Sequence, residues 1–349
     1  MYKPHFTITA EINNWVAQIQ AIKKKFELSR LLPSQEIVLR YRAAVESIHS
    51  STRIEGNPLA KQEVESALAG KMNAFEKKVI EVVNYKKAWD WIEKRGNTKS
   101  NITLKDILKL HSLAADRLLP EHKIGTIRSG PVYIVDSKET VRYTAPKSHE
   151  VKKLIEELLD WLNDKERKLH PVLTAAILHY EFVSIHPFAD INGRVTRLLV
   201  KLFLNLLNYD FRGCLVLDTY YWQHLNSYYQ VLNQGMIYKD QRNADLTPWV
   251  SFFSEGFYQE VKDLERKIDI LNVGRGSSTS KIVRLNDEEI QILDFIKQFG
   301  QITLEDSLDI LRLSIRTIQR RLRTLVDKKI LVKRGKGKNT YYIFQSKRL

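Results

Sequence analysis

The sequence predicts a mainly α-helical protein in three parts, with one β-hairpin set into the helical body and a small basic module at the C-terminal end. Three observations carry this. Apolar residues recur at helical spacing along most of the first 270 positions. Two β-prone runs around a polar turn break that pattern between Gly130 and Tyr143. The small, polar, non-periodic stretch Gly274-Arg275-Gly276-Ser277-Ser278-Thr279-Ser280 reads as a linker. The expected parts are an N-terminal helical region (1–100), a core (101–270) and a C-terminal module (281–349).

Taken in order, Ile12, Trp15, Ile19 and Ile22 place a helix over Glu11 to about Phe26. Leu31-Leu32-Pro33-Ser34 breaks it, with Ser34 as the N-cap of a long helix. Ile37, Val38, Tyr41, Val45 and Ile48 carry that helix to about Ser51 or Arg53, where Gly56-Asn57-Pro58 stops it. Helical patterns follow at Lys61–Leu68, Ala74–Glu93 and Leu104–Arg117. The hairpin comes next, then helices at Val151–Leu162, Val172–Ile185 and Asn192–Leu206, with two more near Trp222–Asn233 and Thr247–Lys267.

With 349 residues, 43% hydrophobic and 28% charged, the chain has ample material for a core and is not a disordered or collagen-like polymer. Its single cysteine, Cys214, excludes an intrachain disulfide scaffold and has no nucleophile partner set nearby. No run approaches 18 apolar residues, and Met1-Tyr2-Lys3-Pro4-His5 leads into a polar segment rather than a secretory signal, so a cytoplasmic protein without membrane contact is expected. The net charge is +15, and residues 275–349 hold 17 Lys and Arg against 8 Asp and Glu. That asymmetry points to an acidic partner for the tail.

The stretch richest in chemistry is His186-Pro187-Phe188-Ala189-Asp190-Ile191-Asn192-Gly193-Arg194-Val195-Thr196-Arg197, a polar loop between two apolar helices. Asn192-Gly193 opens the second helix, whose first backbone N–H groups lack internal partners and suit an anion. Arg194 and Arg197, three residues apart, share a face in the first turn and can fork onto a polyphosphate. Asp190 can hold a divalent metal bound to that phosphate. A neutral His186 at the loop's start can take a proton. His179, two turns earlier on a helix, reads as structural.

These residues resemble the Fic family pattern His-x-Phe-x-Asp/Glu-Gly-Asn-Gly-Lys/Arg-x-x-Arg. Seven of its eight specified positions match, at His186, Phe188, Asp190, Asn192, Gly193, Arg194 and Arg197. The departure is Ile191, where the pattern has Gly; a β-branched side chain strongly disfavours positive φ. The resemblance implies a Fic helical core with a β-hairpin flap. It also implies transfer of AMP from ATP, with Mg²⁺, to a Ser, Thr or Tyr hydroxyl of a target protein or of the chain itself. In that scheme His186 is the general base, Phe188 seats the loop, and Asp190 is the Mg²⁺ ligand. Asn192 and the Gly193 backbone cradle phosphate, Arg194 meets the β-phosphate and Arg197 the γ-phosphate.

Upstream, Ser51-Thr52-Arg53-Ile54-Glu55-Gly56 resembles the family's inhibitory motif Ser/Thr-x-x-x-Glu-Gly/Asn. The implied inhibitory residues are Ser51, Glu55 and Gly56, with Glu55 paired to Arg197. The hairpin matches the family's flap, where Val132, Tyr133 and Ile134 would align an extended target by main-chain pairing. Tyr228 and Tyr229 resemble aromatics near the nucleotide base, although core packing explains either equally well.

After the linker, a helix at Asp287–Phe299, a short strand at Gly300–Thr303 and a helix at Leu304–Leu311 are expected. A third helix capped by Ser314 follows, then a hairpin tipped by Gly335-Lys336-Gly337-Lys338. This order, and Ser314-Ile315-Arg316-Thr317-Ile318-Gln319-Arg320-Arg321-Leu322, resemble a winged helix-turn-helix and its recognition helix. DNA would then be met by Arg316, Thr317, Arg320, Arg321 and Lys336. A winged-helix protein-contact module is the alternative.

The leading expectation is an autoinhibited protein adenylyltransferase whose partners are ATP, a hydroxyl-bearing protein and DNA; a homodimer is left open. Two other readings stay open. One is a nucleotide-sensing DNA-binding regulator with a weakly active core. The other is a different phosphoryl-type transfer, or removal of AMP, on the same scaffold.

Overall fold

Local sequence decides most of the helix ends. The structure, a computed structural model, describes residues 2–29, 33–96, 98, 100–135, 139–164, 169–273, 287–311, 313–335, 337 and 340–345. Helix α1 (Ala10–Leu28) is capped by Thr9, whose hydroxyl accepts from Ile12 N. Helix α2 (Pro33–Ile54) starts at Pro33, so Ser34 lies inside the helix rather than capping it; proline suits a first helical position. Helices α3 (Lys61–Leu68), α4 (Lys77–Gly96) and α5 (Leu104–Ala115) follow. Helix α4 begins three residues later than the periodicity predicts.

Strands β1 (Tyr133–Val135) and β2 (Val141–Thr144) pair antiparallel, with Ile134 opposite Tyr143. The expected turn residues Asp136, Ser137 and Lys138 lie outside the described residues. Helices α6 (Ser148–Asn163), α7 (Pro171–Ile185) and α8 (Asn192–Leu206) complete the centre. From Val172 to Ile185 every residue of α7 except Val183 is buried, as an all-round apolar helix requires. It forms the axis against which α6, α8 and α12 (Thr247–Val273) pack.

The helix expected over Trp222–Asn233 is the shorter α10 (Leu225–Leu232), and a separate α9 (Leu217–Gln223), which had no sequence expectation, precedes it. His224, with ψ near 40°, divides the two. A short α11 (Tyr238–Asn243) had no sequence expectation, since six residues are too few to show a period. The linker Gly274–Ser280 lies outside the described residues.

The C-terminal unit is built from α13 (Asp287–Phe299), β3 (Ile302–Thr303), α14 (Leu304–Leu311), α15 (Ile315–Asp327), β4 (Leu331–Arg334) and β5 (Tyr341–Phe344). Its three strands form an antiparallel sheet in the order β3-β5-β4. It has a core of its own that includes Ile292, Ile296, Ile318, Leu322 and Leu325. Ser314 caps α15 by accepting from Thr317 N. Among the described residues no helix is long and apolar enough to cross a membrane.

Candidate active site

The loop between α7 and α8 is shaped by two residues in the left-handed region. His186 (φ 50°) ends α7 and Ile191 (φ 68°) precedes α8. For a β-branched residue that conformation costs about 1–2 kcal/mol, and it persists where the surroundings over-determine it. The surroundings are plain: the Ile191 side chain is buried, and its carbonyl accepts the first helical bond of α8 from Val195 N. Ile191 therefore adopts the positive φ that a glycine would take without strain.

Asn192 fixes the loop from inside. Its side chain accepts from Phe188 N and donates to Phe188 O, both at 2.9 Å. With the side chain turned to Phe188, its backbone N–H at the start of α8 suits an anion. Phe188 is fully buried and stacks on His111, with ring centroids 3.8 Å apart and planes at 7°. His111 Nδ1 accepts from Gly125 N, and burial pushes its imidazole down to about 4, so it stays neutral.

His186 Nδ1 lies 3.0 Å from Val183 O. A carbonyl only accepts, so Nδ1 carries the proton and Nε2 presents its lone pair. Burial lowers the imidazole below its ordinary value, which keeps it neutral near pH 7. The His186 carbonyl accepts from Arg128 Nε at 2.8 Å, and the same guanidinium donates to Gly130 O and Pro146 O. Arg128 thus ties the base of the hairpin to the loop. Tyr143 adds a second tie, its hydroxyl donating to Ser184 O at 2.5 Å.

His186 lines a cavity of about 630 Å³. Asp190, Ile191, Asn192, Gly193 and Arg197 from the loop and α8 line it, with Ile134 and Val135 of β1, Tyr228 and Tyr229 of α10, and Glu55. Asp190 is exposed there, one of its carboxylate oxygens accepting from Ile191 N. Tyr228 is buried with its hydroxyl 3.0 Å from His179 Nε2, while Tyr229 is half exposed. Of the three expected flap residues Ile134 lines the cavity, Tyr133 is exposed on β1 and Val132 precedes it; Val132 O accepts from Ala145 N.

The two arginines of α8 differ. Arg197 is buried and donates from Nε to Ser51 Oγ (2.7 Å), and from Nη2 to Ser51 O (3.0 Å) and Glu55 Oε1 (2.8 Å). Asp218 lies 3.4 Å from its Nε. Burial works against the Glu55 charge, but Arg197 overrides it and holds the carboxyl below its usual range. Gly56 turns the chain at φ 87°, just after Glu55. Gly193 leaves the room Glu55 occupies: a Cβ there would stand 2.3 Å from Glu55 Oε1. Arg194 is not among the cavity-lining residues. It turns to Glu81 of α4 at 3.5 Å, and its Nε and Nη1 are buried without a hydrogen-bond partner among the described residues.

Residues 101–204 match the family model for the Fic/DOC family. This stretch is a Fic domain. The chain is also similar to curated proteins named protein adenylyltransferase Fic. It is 31% identical to the one from Aedes aegypti over 221 residues, 61% of this chain and 40% of that protein. It is 30% identical to the one from Drosophila yakuba over 268 residues, 74% of this chain and 50% of that protein. The chain thus spans half or less of the length of these relatives. Among solved structures, a Fic family protein from Desulfovibrio desulfuricans G20 aligns over 100% of both chains, with TM-score 0.64 and 26% identity. A Fic domain containing signaling protein from Bacteroides thetaiotaomicron VPI-5482 aligns over 79% of this chain and 100% of its own, with TM-score 0.61 and 21% identity, which speaks for the fold alone.

Within the Fic domain, sequence reasoning passed over Arg128 and His111, and outside it Glu81 and Asp218. None belongs to a local pattern; each reaches the loop or the arginines of α8 across the fold. The one readable hint is Arg128, a cation just before a hairpin whose ends need holding.

In the C-terminal unit Arg316 and Arg320 are exposed on α15, and Thr317 is partly covered by Ser314, hydroxyl to hydroxyl at 2.9 Å. Arg321 is half-buried and lies 3.5 Å from Glu288 of α13. Lys336 lies outside the described residues.

Proposed function

We propose that the protein is an autoinhibited adenylyltransferase that moves AMP from ATP to a hydroxyl of a target protein. The observation that carries this is His186, its Nδ1 proton held by Val183 O and its Nε2 unprotonated, lining one cavity together with the head of α8. The backbone N–H groups of Asn192 and Gly193, with the positive end of the helix, suit the phosphates of a nucleotide. The hydroxyl oxygen attacks the α-phosphorus, the bond to the bridging oxygen breaks, and pyrophosphate leaves with the bonding electrons. The hydroxyl proton goes to His186 Nε2. Arg128 holds that histidine's loop in place, so the geometry is pre-organised rather than assembled at each turnover.

The residues fit a Mg²⁺-nucleotide. Among the described residues no three His, Cys, Asp or Glu side chains gather to hold an ion by themselves. Two carboxylates line the cavity, Glu55, which Arg197 engages, and the exposed Asp190, and Mg²⁺ is commonly held by one or two carboxylates plus substrate phosphates, a role that suits Asp190. The ion would neutralise phosphate charge there. Tyr228 and Tyr229 supply aromatic surface for a base. Strand β1 has an outer edge unpaired by any strand among the described residues, which suits an extended target segment.

The inhibition we assign to Ser51, Glu55 and Gly56. With Glu55 on Arg197, the guanidinium that would meet a γ-phosphate is engaged, and a carboxylate occupies the adjoining space. The C-terminal unit has the element order of a winged helix-turn-helix, and the exposed Arg316 and Arg320 of α15 suit DNA phosphates. The strain at Ile191 favours a second reading, a regulator that binds nucleotide and turns it over slowly.

The test is intact-mass measurement of the protein after incubation with ATP and Mg²⁺, for the unaltered chain and His186→Ala, each also carrying Glu55→Gly. The adenylyltransferase reading expects an added AMP that His186→Ala abolishes, a loss of about 10²–10⁴-fold. Nucleotide binding without any covalent AMP in either background would favour the regulator.

A further inference from the structure

Helix α2 lies between two hydrophobic cores. One stripe of it, Leu39, Ala44, Val45 and Ile48, is buried in the main core. Ile37, Val38 and Tyr41 pack instead against the core of the C-terminal unit. Tyr41 touches both, its ring 5.4 Å from that of Phe344 on β5. The same unit meets the end of α3. A Cβ on Gly300 would stand 3.1 Å from the Cβ of Ala69, and Lys71 Nζ sits 4.5 Å over the Tyr341 ring. Ala69 is in close contact with Gly300, beside a cavity of about 260 Å³ that Val38, Tyr41, Ala69, Gly300 and Phe344 help to line, so a large charged side chain at Ala69 disturbs the contact with Gly300.

The other end of α2 holds Ser51 and leads into Glu55, both bonded to Arg197. From Tyr41 to Ile54, the residue before Glu55, the helix runs about 20 Å at 1.5 Å per residue. No Gly or Pro interrupts Tyr41–Ile54, and sharp kinks need such a cause. A stiff rod therefore joins the docking face to the inhibitory residues. Midway, Ser47 Oγ donates to Asp218 Oδ2 at 2.5 Å, which steadies the rod but does not replace the apolar cover at its first turns. The exposed Arg316 and Arg320 lie outside this joint, so docking leaves them accessible.

We infer that the C-terminal unit is an intramolecular brace: its docking on α2 and α3 holds Ser51 and Glu55 on Arg197, and loosening it frees the nucleotide site. This rests on the inhibitory reading of Glu55. Undocking exposes Ile37, Val38 and Tyr41, the first half of α2 loses protection, and the Glu55–Arg197 pair is populated less. By linkage, anything that breaks the Glu55–Arg197 pair also weakens the docking.

The experiment pairs two variants from opposite parts of the joint, Ala69→Arg and Tyr41→Ala, each alone and with Glu55→Gly, in the full chain. Neither residue lines the cavity. Amide hydrogen exchange of α2 and covalent AMP per molecule are read together. The brace predicts faster exchange across residues 37–54, and labelling raised about 5-fold or more over the unaltered chain in both single variants. It predicts no further rise on top of Glu55→Gly. Faster exchange with unchanged labelling, gains that add to those of Glu55→Gly, or exchange unchanged in both variants would each overturn it. If Glu55→Gly itself brings no gain, the inhibitory reading has failed, and the brace falls with it.

Discussion

Arg197 and Glu55 are bound unequally. The Arg197 side chain is 2% exposed and stays anchored through Nε to Ser51 Oγ, whereas Glu55, 31% exposed at its side chain, is held by Arg197 Nη2 alone among the described hydrogen bonds. Glu55 can leave toward the cavity without disturbing the core, and Arg197 cannot. In the proposed inhibition an incoming phosphate would compete with one carboxylate for a guanidinium that is already in place, rather than recruiting a mobile one.

The pH dependence of transfer follows from His186. Burial lowers its pKa below the ordinary value of about 6.5, and the Glu55 charge partly restores it. In the proposed mechanism the base works in its neutral form, so activity should be lost as pH falls through that pKa. The acid limb of the rate profile should lie below pH ~6.5, and Glu55→Gly should move it lower still. An acid limb that rises in Glu55→Gly contradicts the assignment.

Ile191 inverts an ordinary rule. In a fixed conformation with negative φ, alanine is more stable than glycine. At φ 68° the Cβ is the liability. Ile191→Gly should exceed Ile191→Ala in unfolding free energy by about 1 kcal/mol, measured by denaturant titration, although both lose the buried side chain. The usual order, alanine above glycine, would mean that residue 191 does not sit in the left-handed region.

Arg128 acts through the loop rather than on the nucleotide, for it does not line the cavity. Arg128→Ala leaves the carbonyls of His186, Gly130 and Pro146 without their donor. The expected result is a kcat lowered by about 100-fold, as for a misplaced catalytic group, with the KM for ATP little changed. Equal losses in both would point to general unfolding instead.

For the C-terminal unit, removing one cation that pairs with a DNA phosphate should reduce the salt slope of DNA binding by about one unit. Arg320→Ala should do so in the full chain. Arg321→Ala should do less, because Arg321 lies half-buried beside Glu288. Absence of DNA affinity at low salt would leave a protein-contact role for α15.

The helices were legible because their apolar residues repeat locally; α3 and α8 match their expected limits to the residue. Helix α9 was not, because its seven residues make barely two turns, too few to show a period, and it ends at His224 just before α10 begins. The gathering of the loop residues was legible for a similar reason: His186, Asp190, Gly193 and Arg197 stand in one short stretch and line one cavity. Arg194 shows the limit of such reading. Its spacing put it beside Arg197, yet Glu81, more than a hundred positions earlier, draws it out of the lining. Arg128, His111 and Asp218 were hidden in the same way, since their partners are set by packing between helices distant in sequence.

The measurement that tests the central claim most directly is covalent AMP per molecule in the unaltered chain, Glu55→Gly, Arg197→Ala and the double variant. If Glu55 holds the arginine that a γ-phosphate needs, Glu55→Gly labels well above the unaltered chain, and adding Arg197→Ala erases the gain. Labelling in Glu55→Gly no higher than in the unaltered chain, or a gain that survives loss of Arg197, would contradict it.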